Sequence, residues 1–389
     1  MNISQRDLIT SNQNNNTDNI IKTTLKKQKR NYGIDLLRIF SMINIINLHI
    51  NLRTGMTIKQ DNIKFKNIWR LETFSYFAVD CFGLISGIVG FNKCKFSNLI
   101  YLWLISSFYS VSKHLYLFIN NNIDLTRLVL SFFPIIIKFH WYVNAYFIMY
   151  LFLPFINYGI ELLNVKTFRI LVIFYIFFFS IYYIISALFT KPDFNFLIGG
   201  YSSSWLTILY IIGSYFGKYK LKNTINKSNS LIKFFHLINY IGFSFLSSEI
   251  YFRTGKRFLI CYISPTILFQ ALSLVMIFYS IHINNLHLIK VIKFITPSVF
   301  SSTLIHSIVF SLKFKFVLSF FKTIREFNND FLFFKIYIMS LLVFILCILI
   351  DYFRLLLFQL LKIREFCLFI ENFFPKAINK LLTFIKIIY

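Results

Sequence analysis

Charged side chains are scarce in this chain: only 14 % of its 389 residues are Asp, Glu, Lys or Arg, against about 25 % in an average soluble protein. That shortage excludes a soluble globular fold. Acid is the scarcer sign, with 15 Asp and Glu against 41 Lys and Arg and a formal net charge of +26. In a soluble protein this balance would point to nucleic acid. Here the basic residues lie mostly between apolar runs, where anionic headgroups are the simpler partner, so membrane lipids and no nucleic acid are expected. Cysteine is sparse too. Cys81, Cys94, Cys261, Cys347 and Cys367 are scattered and odd in number, without the spacing of zinc ligands or of a disulfide framework. They read as small apolar fillers, and no metal site is expected.

What the chain has in abundance is apolar surface: 57 % of residues are hydrophobic, 51 Phe and 23 Tyr lift aromatics to 20 %, and mean hydropathy is +0.64. That is enough for about ten spans of ~20 residues. Apolar segments fall at 34–52, 71–91, 98–119, 141–159, 168–189, 203–218, 231–249, 258–281, 296–318 and 331–354. They predict an all-α, polytopic integral membrane protein of about ten transmembrane helices. An even count puts both termini on one side. The basic cluster Lys22, Lys26, Lys27, Lys29 and Arg30 argues that this side is the cytoplasm. The sixth loop, with Lys218, Lys220, Lys222, Lys227 and Lys233, agrees.

Three regions follow. Residues 1–30, rich in Asn, Gln, Thr and Lys, are expected to form a disordered basic cytoplasmic tail. Residues 31–355 form the transmembrane domain, and 356–389, mixing Lys and Glu with Phe, Leu and Ile, an amphipathic cytoplasmic tail on the inner leaflet. The polar start and the lack of a small-residue cleavage site predict that the first span stays as a signal anchor. Segment 124–139, interrupted by Pro134, is placed as an interfacial or re-entrant piece. The first and ninth outer loops are more basic than the positive-inside rule prefers, through Arg53, Lys59, Lys64, Lys66 and Arg70, then Lys313, Lys315, Lys322 and Arg325. Either they face an anionic substrate or the composition is simply Lys-rich throughout.

An ionisable side chain at mid-bilayer costs about 2.5 to 3.5 kcal/mol on insertion scales and persists mainly where it has a partner or a task. The first span holds three: Asp35, Arg38 and His49. At ~100° per residue, the step of eleven from Arg38 to His49 returns to within about 20° of one azimuth, and Asp35 lies one turn below Arg38. All three are therefore expected on one face. Asp35 and Arg38 can pair at i and i+3. His49, about 16 Å higher, is left unpaired as a candidate general base. The alternative is an interfacial clamp at one end of the helix and a capping histidine at the other.

The run from Arg30 to His49, with the ten-residue gap between Arg38 and His49, resembles the first-span signature of the membrane acyltransferase type 3 family. Phe77 to Gly87, ending in Ser86 and Gly87, is similar to the family's second-span stretch. Trp141, Tyr142, Tyr150 and Pro154, the Leu209–Lys218 run around Gly213 and Gly217, and Ser301 to His306 follow in the family's order. The resemblance covers about residues 30–355. It implies a membrane O-acyltransferase of the bacterial cytoplasmic (inner) membrane. Its donor would be acyl-CoA, most often acetyl-CoA, and its acceptor a hydroxyl of a cell-surface polysaccharide or lipid-linked glycan precursor. Three positions depart from the pattern. Asn98, Leu99, Ile100 and Tyr101 stand where many members have Arg-x-x-Arg, Asp80 stands where many have Pro, and Ser301 and Ser302 replace the usual residues before Leu304.

The catalytic candidates are thus His49 as base, with Arg38 and Asp35 orienting the site or the donor. Ser86, Glu72, Trp141, Tyr146 and His306 are candidate substrate-binding residues, each with a plainer structural reading. Ser86 and Gly87 serve tight helix packing. His306 is a hydrogen-bonded packing residue. Glu72, eight residues from Asp80 and so on its face, pairs with Arg70 or Arg53. Trp141, Tyr142 and Tyr146 either stack on a sugar or belong to an interfacial belt. Asp351 and Arg354 read as a structural pair. The competing class is a transporter, a polysaccharide flippase or polymerase; the sequence shows none of the paired Gly or Pro breaks in matching halves that mark inverted-repeat transporters.

Overall fold

With no water in the bilayer to hydrogen-bond the backbone, long apolar segments satisfy their own amides as helices. The computed structural model describes residues 30–373 apart from 56, 58–62, 92–93, 190–196, 221–229, 313 and 329. Every regular element among the described residues is a helix. In chain order they are α1 (Tyr32–Thr54), α2 (Ile63–Thr73), α3 (Phe77–Gly90), α4 (Phe96–Ile119), α5 (Leu125–Leu130), α6 (Trp141–Leu162), α7 (Val165–Tyr175) and α8 (Tyr182–Phe189). Then come α9 (Ser203–Tyr215), α10 (Ser230–Thr254), α11 (Pro265–Tyr279), α12 (Leu286–Ile295), α13 (Val299–Ser311), α14 (Lys315–Arg325) and α15 (Leu332–Leu360).

Among the described residues, six stretches are long and apolar enough to cross a membrane: Tyr32–Thr54, Ile63–Gly90, Trp141–Leu162, Val165–Leu188, Leu286–Ser311 and Leu332–Leu360. The chain is therefore a multi-pass membrane protein. The remaining expected spans are helical but shorter or more polar. α11 has 15 residues, while α4 and α10 are long but diluted by Ser, Tyr, His and Lys. α15 continues six residues past the expected end at 354, and a further helix covers 363–373. The boundary expected at 355 thus falls inside a helix. Residues 1–29 and 374–389, and with them most of both expected tails, lie outside the described residues.

Of α1's apolar stretch, 72 % is inside the protein, against 17 % for Val165–Leu188. α1 is consequently the axis, packed against α3, α11, α13 and α15, and the α7–α8 region is peripheral. Asn31 caps α1, its Oδ1 accepting from the Ile34 amide at 3.2 Å. Gly55, at φ 70°, closes it. α3 and α9 pack backbone to backbone, because a Cβ on Gly87 would sit 2.0 Å from the Tyr210 carbonyl oxygen and one on Gly213 2.1 Å from that of Leu84. Gly87 therefore serves packing.

Three of the six stretches depart from a regular α-helix: Val165–Leu188 passes through a π-helix at Ile176–Ile181, and two others are broken. Ile63–Gly90 turns at Phe74–Tyr76, where the Ser75 hydroxyl bonds the Leu71 carbonyl, a contact that bends helices. Leu286–Ser311 tightens at Thr296–Ser298, where Pro297 removes a donor. The first break contains neither Gly nor Pro, which is why the sequence pattern shows none there. The predicted interfacial segment is the short α5 followed by turns to Phe139. Where α15 packs against the second break, Arg354 donates to both Asp351 oxygens at 2.7 Å, and Tyr109 donates to the same carboxylate at 2.5 Å. Asp351 and Arg354 are the expected structural pair, and both are buried.

Candidate active site

A cavity of about 760 Å³ runs beside α1 from Arg38 past His49 to Leu52. It takes Arg38, His49, Glu72, Ser86, Trp141 and Tyr146 of the expected residues into its wall. The two broken helices supply it directly: Glu72 and Tyr76 flank the first break, and Thr296, Val299 and Thr303 surround the second. Such interruptions are tolerated at membrane depth where backbone lines a cavity.

At the Arg38 end the charge arrangement is larger than the expected pair. Asp35, 2 % exposed, holds Arg38 Nη1 at 2.6 Å on one oxygen and Arg30 Nε at 2.6 Å on the other. One carboxylate facing two guanidiniums leaves a net positive charge. Arg38 is 27 % exposed and lines the cavity, whereas Asp35 does not. The expectation that Asp35, Arg38 and His49 share one open face is corrected to two, because Asp35 is drawn inward between its two partners. Ser86 also lines the cavity, although its hydroxyl donates back to the Phe82 carbonyl at 2.8 Å.

His49 is not unpaired. Its Nδ1 lies 2.6 Å from Nε2 of His306 on α13, with ring centroids 4.9 Å apart. His306, 1 % exposed, does not line the cavity. It stands behind His49, its Nδ1 2.5 Å from the Ser302 carbonyl oxygen. Among the described residues the hydrogen bond of the His49 ring is the one at Nδ1, and the half-buried ring lines the cavity. A second imidazole on the wall comes from the N-cap of α6: His140, whose Nε2 lies 3.4 Å from the Ser307 hydroxyl and whose buried Nδ1 has no partner among the described residues.

At the far end the acid is Glu72, the cavity's one acidic residue among the described lining. The expected ion pair with Arg70 or Arg53 does not form. Arg70 instead pairs with Glu249 at 3.2 Å; Glu72 has Asn51 and Arg257 as its polar neighbours, and its buried Oε1 makes no hydrogen bond among the described residues. Glu72 and Asp80 do not share a face either, because the turn at 74–76 separates them. Asp80 accepts from the Trp205 indole at 3.1 Å, away from the cavity. Trp141, Tyr142 and Tyr146 line the cavity, and Trp141 meets Tyr201 at 4.7 Å and Tyr262 at 6.4 Å. The Arg257 guanidinium sits 4.5 Å over Trp69, and both reach the wall.

The sequence reading missed Trp69, Tyr76, His140, Tyr201, Arg257 and Tyr262 as wall residues. Arg257, Tyr201 and Tyr262 belong to connections between helices, where only the fold reveals a common destination; Trp69 carried a signal, standing one turn from Glu72. At Asn98 and Tyr101, where the resemblance expects an Arg pair, an arginine arrives from elsewhere. Arg364 donates to Asn98 Oδ1 at 2.8 Å and lies 5.2 Å over the Tyr101 ring.

The profile of a family described as an acyltransferase domain matches residues 31–352. The chain belongs to the acyltransferase 3 family. No curated protein and no solved structure matches it. The matched region contains the whole cavity wall, so the imidazoles, the two guanidiniums and the carboxyl group above are the side chains available to a membrane acyltransferase for its chemistry.

Proposed function

We propose that this membrane acyltransferase takes an acetyl group from acetyl-CoA and places it on a hydroxyl of a cell-surface polysaccharide or its lipid-linked precursor, in the cytoplasmic membrane of a bacterium. The observation that carries this reading is His49 standing partway along one cavity, between a net positive end at Arg38 and a far end holding Glu72 and aromatic rings. A guanidinium suits the phosphate oxygens of a CoA donor. A carboxyl group whose buried oxygen makes no hydrogen bond among the described residues suits a sugar hydroxyl, and Trp and Tyr rings suit the apolar face of a sugar.

In this reading the donor lies with its phosphates toward Arg38 and its acyl end toward His49, about 16 Å along α1. The acceptor enters from the Glu72 side. His49 takes the hydroxyl proton as the oxygen attacks the thioester carbonyl, and the cavity supplies proximity by holding both reactants beside one base.

The reading also takes the chain across the membrane ten times with both termini in the cytoplasm. Its support is the alternation of contacts. Thr57, His140, Trp141, Tyr201, Arg257 and Tyr262, from the connections or helix starts after α1, α5, α8 and α10, all gather at the far end of the cavity. At the other end Asn31 meets Tyr279, Lys95 meets Tyr150 and Asn98 meets Arg364.

Detergent-purified protein, given acetyl-labelled acetyl-CoA and a panel of polysaccharides, is expected to move label onto one of them. A transporter is the second reading, favoured by the two broken helices on the cavity wall. It predicts no covalent label on any glycan, and that result would overturn the enzyme reading.

A further inference from the structure

We infer that His306 is a positioning residue that fixes which nitrogen of His49 acts as the base. The inference rests on the acyl-transfer reading above and goes beyond it, because it assigns a proton to each ring nitrogen of a buried pair.

The argument follows the hydrogen bonds inward. A backbone carbonyl oxygen only accepts, so the 2.5 Å contact between His306 Nδ1 and the Ser302 oxygen puts the ring proton of His306 on Nδ1. In a neutral imidazole the other nitrogen is then an acceptor. His306 Nε2 lies 2.6 Å from His49 Nδ1, so His49 Nδ1 must carry the hydrogen that joins them. The one lone pair left on His49 is at Nε2, on a half-buried ring that lines the cavity.

The arrangement is overdetermined by packing. His306 is 1 % exposed, is held by α13 against α1, and has Phe310 5.6 Å from its ring. A histidine bonding the carbonyl four residues earlier is itself an ordinary helical habit, and His114 does the same to Ser110 at 2.7 Å. What distinguishes His306 is that its second nitrogen meets another histidine on the cavity wall, turning a local bond into a constraint on the base.

In the reaction, the acceptor O–H bond breaks as its proton goes to His49 Nε2, and the oxygen bonds the thioester carbonyl carbon. The C–S bond then breaks, and the departing thiolate takes the proton back from Nε2. While His49 holds both protons, its Nδ1–H bond to His306 becomes a charge-assisted one, stronger than in the resting pair. The support is thus greatest when charge is present, as transition-state stabilisation requires.

The test uses two polar replacements that differ in reach. The amide of His306→Gln falls near the Nε2 position and keeps an acceptor for His49; that of His306→Asn falls near Nδ1, keeps the Ser302 contact and leaves His49 without a partner. In full-length detergent-purified protein, His306→Gln is expected within about tenfold of wild-type kcat. His306→Asn is expected to lose about 10²–10⁴-fold, the size of a general-base contribution, with the KM for acetyl-CoA unchanged within about twofold. Equal kcat values for the two variants, or a normal kcat for His306→Asn, would overturn the inference.

His49→Ala separates the two levels of argument. If it is inactive while Gln and Asn at 306 are equivalent, only the positioning role fails; if it is as active as wild type, the base itself is wrong and the positioning role falls with it. An activity-free check is the ¹⁵N spectrum of histidine-labelled protein, with His49→Ala giving the assignment. The Nδ1–H form of His49 is expected, and the Nε2–H form contradicts the inference.

Discussion

Asp35 holds Arg30 and Arg38 on separate oxygens at 2.6 Å while only 2 % exposed, so its removal leaves two guanidiniums facing each other with no counter-charge. Breaking a buried ion pair costs about 3–5 kcal/mol, and with Arg30 half in solvent the loss for Asp35→Ala belongs at the lower end, about 3 kcal/mol. A fall in melting temperature and membrane yield measures it. Arg38→Ala behaves differently, because Arg30 still satisfies the carboxylate. The variant is expected to fold with a near-normal melting curve. It should raise the KM for acetyl-CoA roughly ten- to a hundredfold, the worth of a lost charged hydrogen bond. A collapsed yield with unchanged donor KM would remove Arg38 from the donor site. At the opposite end, Glu72→Gln keeps the shape of the side chain and replaces one carboxyl oxygen by an amide nitrogen. It is expected to raise the KM for the acceptor while leaving that for acetyl-CoA alone; an effect on the donor KM instead would contradict the assignment of the two ends.

Between α3 and α9 the close approach is set by glycine, and substitution there tests packing apart from chemistry. A methyl on Gly87 would meet the Tyr210 carbonyl oxygen at 2.0 Å, whereas one on Gly242 in α10 meets nothing within 4 Å. Gly87→Ala is expected to lose about 1–3 kcal/mol through overpacking, and Gly242→Ala to be neutral or to gain up to about 1 kcal/mol from helix propensity. Paired melting curves in one detergent decide it. The helices themselves were legible in the apolar runs, and the eleven-residue step from Arg38 to His49 brought both to the cavity wall as helical periodicity demands. What periodicity does not contain is the partner across a helix interface. His49 meets His306 257 residues away, and Asp35 takes a second arginine from the residues just before the helix. The turn at Phe74–Tyr76 was equally hidden, since a serine hydroxyl bending a helix leaves no Gly or Pro as a mark.

Across the whole molecule, the connections after α1, α8 and α10 meet at one end of a single cavity, and the topology proposed from this is open to chemical labelling. In a background cleared of the five native cysteines, Lys256→Cys is expected to react with a membrane-impermeant maleimide in intact cells. Asn284→Cys is expected to react only after permeabilisation, and the opposite pattern would invert the proposed orientation. The amino-terminal segment is a further test of where function resides. Deleting residues 1–25, which are polar and Asn-rich, is expected to leave activity unchanged per mole of membrane protein, with a loss at equal protein level showing a role for them. The central claim is that one cavity joins a CoA-binding end to a glycan-binding end through His49. Transfer of labelled acetyl from acetyl-CoA to the glycan acceptor, compared between wild-type protein and His49→Ala of matched melting temperature, tests it most directly: label on the glycan with the wild type and none above background with His49→Ala is the predicted result, and equal labelling by the two would contradict it.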